Sequence, residues 1–472
     1  MKIRRSDTAF AALLFILTSI LVTPLLFMNE VPAQSANHNW DRAFERLKNK
    51  DCAGALPYLK RADEGGEDVY WIYNNLVNCL LKNEDRAGAL HYARKGMMRY
   101  PQETVMRKTL IWALSSGAWK AFGDKDYAGA EKLFREAYDL DNNDAEVLNG
   151  YGVALRENGS PSKLEQSVNL LEKAFSIDHE KSHILGNLTY SRHLLLRLYA
   201  KNSDFHNMEK AIGRIYAHYN SNRDRYKKHN VRRYDIEEQV VAPYDACGVN
   251  PTEGVDMHGC AASLQRLLDR YPENYRLKHI LGNAVTNAGN IERGYALREE
   301  AYEDYLKHRR PVDPKIILRS PLKGRVHVIK YNPPKPKSHS GLWRHAMDYI
   351  VVDASGKNIS YNSPLYAPAD GEITHVGDGS EDLSNLWLKM KNGLTVGLVH
   401  FKPGSFTVRK GERVIAGQKL GVLGIPGNAH LHMHIFNEYG ATIPYLFKSF
   451  RDHKGAQRQN AHPDHGTFYD YP

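Results

Sequence analysis

Only four cysteines occur in 472 residues, Cys52, Cys79, Cys247 and Cys260, and no two are spaced as CxxC. That spacing disfavours a structural zinc held by thiolates, whose ligands come in close pairs. None lies near the histidine-rich C-terminal stretch in sequence, which argues against a cysteine nucleophile. Blocks of one charge are missing too. The net charge is +10, yet Lys and Arg are interleaved with Asp and Glu through the first two thirds of the chain. Nucleic acid is disfavoured by that pattern, and an anionic surface such as a cell wall or lipid headgroups suits it better. At 42% hydrophobic residues the chain has material for two cores.

Long apolar runs are absent except for one. After the basic start Met1-Lys2-Ile3-Arg4-Arg5, residues Ala9 to Met28 are apolar apart from Thr18, Ser19, Thr23 and Pro24. About 20 apolar residues serve as an export signal or as an uncleaved membrane anchor, and both readings stay open. Ala33-Gln34-Ser35 before Ala36 is a small-residue cleavage site. The basic flank directs the bulk of the chain out of the cytoplasm, so residues 1–36 imply an exported, periplasmic or cell-envelope protein. An even cysteine count in that compartment permits disulfides. Of three pairings the neighbouring ones are simplest, Cys52 with Cys79 and Cys247 with Cys260; four buried thiols are the alternative.

Between residues 37 and 310 the chain repeats itself. Asp51-Cys52-Ala53-Gly54-Ala55-Leu56 returns 34 positions later as Asp85-Arg86-Ala87-Gly88-Ala89-Leu90, and again as Asp126-Tyr127-Ala128-Gly129-Ala130. Small residues (Ala55, Ala89, Ala130) fall where paired helices cross, and large ones (Tyr73, Leu76, Leu80; Leu148, Tyr151, Leu155) fill the layer between. The period resembles that of tetratricopeptide repeats. The resemblance implies an α-helical solenoid whose curved face binds a peptide or protein partner, with a plain spacer as the alternative. Prolines at 311, 314 and 321 mark a linker over residues 311–322.

The chemistry lies in residues 323–450. Ala429-His430-Leu431-His432-Met433-His434 reads as a strand, so alternate histidines share a face about 7 Å apart. Upstream stand Ser338-His339-Ser340-Gly341, then Arg344-His345-Ala346-Met347-Asp348 opening an apolar strand, and Gly397-Leu398-Val399-His400-Phe401. Two histidines and a carboxylate with an open position form a common catalytic zinc set, leaving histidines over for proton transfer. Together with Ser363-Pro364-Leu365-Tyr366-Ala367-Pro368-Ala369-Asp370-Gly371 and Val408-Arg409-Lys410-Gly411-Glu412, these motifs resemble the LytM/lysostaphin-type zinc metallopeptidases of bacterial cell walls.

That resemblance implies an antiparallel all-β metallopeptidase domain that uses zinc (Zn2+) and cuts peptidoglycan cross-bridges. Carried over residue by residue, it makes Asp348 and His432 metal ligands and His400 and His430 the catalytic pair. The family's His-x-Gly-x-Asp spacing is missing. His339 keeps the His-x-Gly and takes the first ligand position, with His345 as the alternative. His434 reads as a supporting or strand-end residue. Residues 451–472 are polar and read as a disordered tail with solvated histidines. Two other functions are compatible with the sequence: a non-catalytic scaffold that activates other cell-wall hydrolases, and a zinc peptidase acting on a protein substrate.

Overall fold

The computed structural model describes residues 39–157, 159–248, 252–308, 316–329, 337–377, 379, 384–437 and 439–472. The apolar run from Ala9 to Met28 lies outside them. Among the described residues no helix is long and apolar enough to cross a membrane.

Fifteen helices come first among the described residues: α1 (Asn39–Lys48), α2 (Cys52–Glu64), α3 (Trp71–Lys82), α4 (Arg86–Arg99), α5 (Thr104–Gly123), α6 (Tyr127–Leu140), α7 (Ala145–Glu157), α8 (Pro161–Ile177), α9 (Ser182–Lys201), α10 (Phe205–Ser221), α11 (Arg223–Lys228), α12 (Arg233–Val241), α13 (Met257–Arg270), α14 (Tyr275–Asn287) and α15 (Ile291–His308). The recurring Asp-x-x-Gly is the start signal of four of them. Asp51, Asp85 and Asp126 cap α2, α4 and α6 by accepting the backbone N–H of Gly54, Gly88 and Gly129. Glycine leaves room for the cap, because a Cβ at Gly129 would lie 2.1 Å from the Asp126 carboxylate and push it aside. Asp256 and Gly259 repeat the device at α13. The alanines at the crossings, Ala55, Ala89 and Ala130, are wholly buried. Cys52 and Cys79, joining α2 to α3, have Cα atoms 5.1 Å apart, and Cys247 and Cys260 are 6.6 Å apart, both within disulfide reach.

The chain divides into two compact units. One takes its described residues from 39–198 and 217–231; the other comprises 199–216 and 232–472. The boundary expected at residues 311–322 therefore does not part the helices from the strands. Tyr275 on α14 and Tyr305 on α15 share one buried cluster with Leu342 and Ala441 of the strand-rich segment. Proline density reports local chain stiffness; it does not report which side chains pack together.

In this second unit eleven strands form one sheet in the order β1-β11-β13-β2-β3-β10-β7-β6-β5-β8, with β12 beside β11. They are β1 (Ile317–Leu318), β2 (Gly324–Val328), β3 (Met347–Val351), β5 (Gly371–Gly377), β6 (Asn385–Met390), β7 (Thr395–Val399), β8 (Arg413–Val414), β10 (Leu431–Phe436), β11 (Leu446–Asp452), β12 (Gln457–Ala461) and β13 (Phe468–Tyr471). β4 (Pro364–Tyr366) and β9 (Lys419–Val422) pair separately. The sheet is mixed, which corrects the all-antiparallel expectation: β1 runs parallel to β11, with Ile317 opposite Leu446. β1 arrives from the helical side and is joined to β11 by no hairpin, so nothing forces the antiparallel sense.

The tail also departs from expectation, because β12 and β13 occupy it. Tyr469 is 1% exposed and its hydroxyl meets Ser320 Oγ at 3.0 Å. One deeply buried aromatic in an alternating strand outweighs the polar composition around it. His462, expected to be solvated, is half-buried with its ring stacked on Phe447. In β10 the alternation sends Leu431, Met433 and Ile435 into the core, all fully buried. His432 and His434 take the other face.

Candidate metal centre and active site

Strand register assembles the centre. Asp348 on β3 lies directly opposite His432 on β10, and His432 lies opposite Val399 on β7. His400 follows Val399 and so arrives beside the start of β10. His339 comes from a 3-10 turn, Lys337–His339, ahead of β3.

His432 Nδ1 is 2.9 Å from Asp348 Oδ1, and His339 Nε2 is 3.1 Å from Asp348 Oδ2. One ligand atom from each of His339, Asp348 and His432 lies within 4.8 Å of the others. Tetrahedral zinc at about 2 Å from its ligands would place donor atoms about 3.3 Å apart, so the donor set fits that ion. The protonation pattern agrees. His339 Nδ1 donates to the Ala346 carbonyl at 2.7 Å, which leaves the Nε2 lone pair aimed at a carboxylate oxygen. Two lone pairs in that arrangement call for a cation between them, either a proton or a metal. Burial alone would raise the Asp348 pKa, but with a proton in the cation's place on each imidazole the hydrogen bonds from His339 and His432 outweigh it and hold the carboxyl well below its usual value.

Two more histidines complete the group. His430 Nδ1 donates to the Asn428 carbonyl at 2.9 Å, so its Nε2, 3.9 Å from Asp348 Oδ2, is the atom turned to the centre. The rings of His400 and His430 are 4.4 Å apart. His400 sits at φ 75°, a left-handed conformation that a histidine adopts at a cost of about 1–3 kcal/mol. Its backbone is clamped on both sides: its N–H reaches the Ser384 carbonyl and its own carbonyl accepts from Gly424, each at 2.9 Å.

The other two histidines lie outside the ligand group. His345, the alternative first ligand, turns toward the helices, where its Nε2 is 3.5 Å from the Tyr302 hydroxyl. His434 is buried, its ring centroid 5.3 Å from that of His432, and burial pushes its pKa well down. Its ring lies over Gly397, where a Cβ would come within 2.0 Å of Nε2, so only glycine fits beneath it. Missed by sequence reasoning were the carbonyls of Ala346 and Asn428, because backbone acceptors leave no trace in residue identity.

No family model and no curated protein matches the chain. Among solved structures it is similar to Helicobacter pylori Csd3, at 19% identity over 27% of this chain and 33% of that one, with a TM-score of 0.20. The chain thus spans about a third of that protein's length. It is also similar to the catalytic domain of the antimicrobial peptidase lysostaphin from Staphylococcus simulans, at 18% identity over 21% of this chain and 74% of that one, with a TM-score of 0.17. A third likeness is to MamA from Desulfovibrio magneticus RS-1, at 15% identity over 40% of this chain and 94% of that one, with a TM-score of 0.27. Scores this low leave function to rest on the geometry of the centre itself.

Proposed function

We propose that this chain is an exported zinc metalloendopeptidase of the LytM/lysostaphin type that cuts peptide cross-bridges of bacterial peptidoglycan. The observation that carries the reading is the convergence of His339, Asp348 and His432 within 4.8 Å, with His400 and His430 alongside. His339 Nε2, an Asp348 oxygen and His432 Nδ1 would hold the ion. Zinc bound there supplies Lewis acidity toward a scissile carbonyl and brings the pKa of a water near 7.

The chain's own groups do the rest. The His430 proton on Nδ1 is committed to Asn428, so Nε2 is the atom that accepts a proton from an attacking water and passes it on to the leaving amine. His400, beside it, orients that water and steadies charge developing on the carbonyl oxygen. General-base work of this kind contributes about 10²–10⁴ in rate, and one oxyanion donor about 10²–10³. The clamped backbone of His400 fixes the point from which its ring leaves the main chain. The helical repeats are proposed to bind a protein or peptide partner, and the N-terminal apolar run to carry the chain to the membrane and out of the cytoplasm.

The test is metal analysis of the purified chain beside digestion of purified peptidoglycan, wild type against His432→Ala. Zinc at one per chain and release of muropeptides, both lost in the variant, is the expected result. A zinc-free wild type would overturn the reading.

A further inference from the structure

The segment that carries His339 is built onto α14 and α15 as well as onto the sheet. Arg298 on α15 is 1% exposed, and no carboxylate pairs with it among the described residues. Its Nε donates to Ser340 Oγ at 2.7 Å, while one terminal nitrogen donates to Thr286 Oγ1 at 2.7 Å and to the Gly282 carbonyl at 3.3 Å, both on α14. The neighbouring Glu299 accepts the Gly341 N–H at 3.0 Å and pairs with the Arg344 guanidinium. Gly341 is left-handed at φ 59°, and a Cβ there would lie 2.5 Å from the Arg298 carbonyl oxygen. His279 Nδ1 accepts the Leu342 N–H at 3.4 Å, with its ring 4.7 Å from Trp343. The segment from Ser340 to Trp343 is therefore gripped by this helix pair at every residue.

A buried guanidinium is costly to desolvate and is kept where its donors fix a geometry. Here the donors reach from two points on α14 to the hydroxyl immediately after His339. We propose that Arg298 is a positioning residue for the metal centre: through Ser340 it fixes the backbone that aims His339 Nε2 at Asp348. The inference rests on the metallopeptidase reading. It adds that the last helix pair sets metal affinity, although neither helix supplies a ligand.

The experiment is a zinc titration of the full chain against a chromophoric chelator, with wild type, Ser340→Ala, Arg298→Lys and Arg298→Met side by side. Loss of a partner that orients a ligand weakens metal binding about 10–100-fold. Ser340→Ala is expected to bind zinc at least about tenfold more weakly, and its metal-free urea midpoint should fall as well, because the buried Arg298 Nε loses its acceptor. Arg298→Lys, which keeps the charge but not the fork, falls between wild type and Arg298→Met. Should Arg298→Met fail to fold, Ser340→Ala decides the matter. A folded Ser340→Ala with wild-type zinc affinity overturns the proposal. A wild type that takes up no zinc overturns the metallopeptidase reading, and this inference with it.

Discussion

Asp348 and His432 are a directly opposed pair on adjacent antiparallel strands, joined by a 2.9 Å contact between Oδ1 and Nδ1. Their separation is set by the sheet ladder itself, so two of the three proposed ligands are placed by backbone hydrogen bonds. Only His339 depends on a loop.

That division makes the ligands separable by mutation. His432→Ala and His339→Ala should both abolish zinc binding, by more than the about 10–100-fold typical of an outer partner. Compared metal-free, His432→Ala should keep the core of β10, whose core face is Leu431, Met433 and Ile435, whereas His339→Ala, which empties a buried position, should melt lower. His345→Ala should keep its zinc. Metal analysis of the three variants checks this, and a His345→Ala protein without metal would reverse the assignment.

His400→Ala and His430→Ala should retain zinc and lose about 10²–10⁴ of peptidase rate, since neither offers a ligand atom to the group. Rate and zinc content measured on the same preparation decide it; parallel loss of both would return one of these histidines to the ligand set.

The His279 ring is wholly buried and its pKa is pushed down to about 3 by desolvation and by the positive charges of Arg298 and Arg276. A histidine near 6.5 in the unfolded chain then takes up its proton there first. The folded state is fully favoured above about pH 6.5 and loses about 1.4 kcal/mol per pH unit from this group as pH falls toward 3. His279→Asn keeps an acceptor for the Leu342 N–H and cannot titrate. Its urea midpoint should therefore fall less than wild type between pH 7 and pH 5 (about 2 kcal/mol less). Identical pH dependence would place His279 outside the acid response.

Gly129→Ala in a helix ordinarily stabilises by about 1 kcal/mol. Here the new methyl would displace the Asp126 carboxylate and forfeit its cap, worth about 1 kcal/mol, so no gain is expected. In an Asp126→Ala background the same change should recover the full gain. A double-mutant cycle by chemical denaturation should show coupling of about 1–2 kcal/mol, and simple additivity would mean that the Asp-x-x-Gly pair has no steric logic.

A fragment of residues 316–472 alone should expose Leu342, Trp343 and Ala441, whose partners include Tyr275, Tyr302 and Tyr305. It is expected to lack a fixed near-ultraviolet signal and to bind zinc poorly, whereas residues 199–472, which hold the whole unit, should do neither. A shorter fragment that binds zinc as the longer one does would return the boundary to the proline linker.

Much of the centre was legible because strand alternation and register put Asp348 and His432 on neighbouring strands, with His430 just ahead of β10. The helical repeat was legible from the 34-residue recurrence of Asp-x-Ala-Gly-Ala, whose Asp and Gly are a local signal. What stayed hidden was non-local. The choice of His339 over His345 for the ligand group turns on a loop seated against Arg298, His279 and Glu299, more than 40 residues away and ordinary in sequence. The parallel entry of β1 and the strands of the tail hang on single contacts, Ile317 beside Leu446 and Tyr469 beneath Ser320, that composition averages away.

The strand order begins at β1 and ends at β8, and each of these is two residues long. β12, which lies beside β11, presents exposed Gln457, Arg458, Gln459 and Asn460. Open sheets join other chains through long, flat, apolar margins. This one has blunt ends and a charged flank, so among the described residues it offers little template for a foreign strand. For the peptidase proposed above the consequence is that extended peptide chains find no rim to zip onto and stay available to the metal centre.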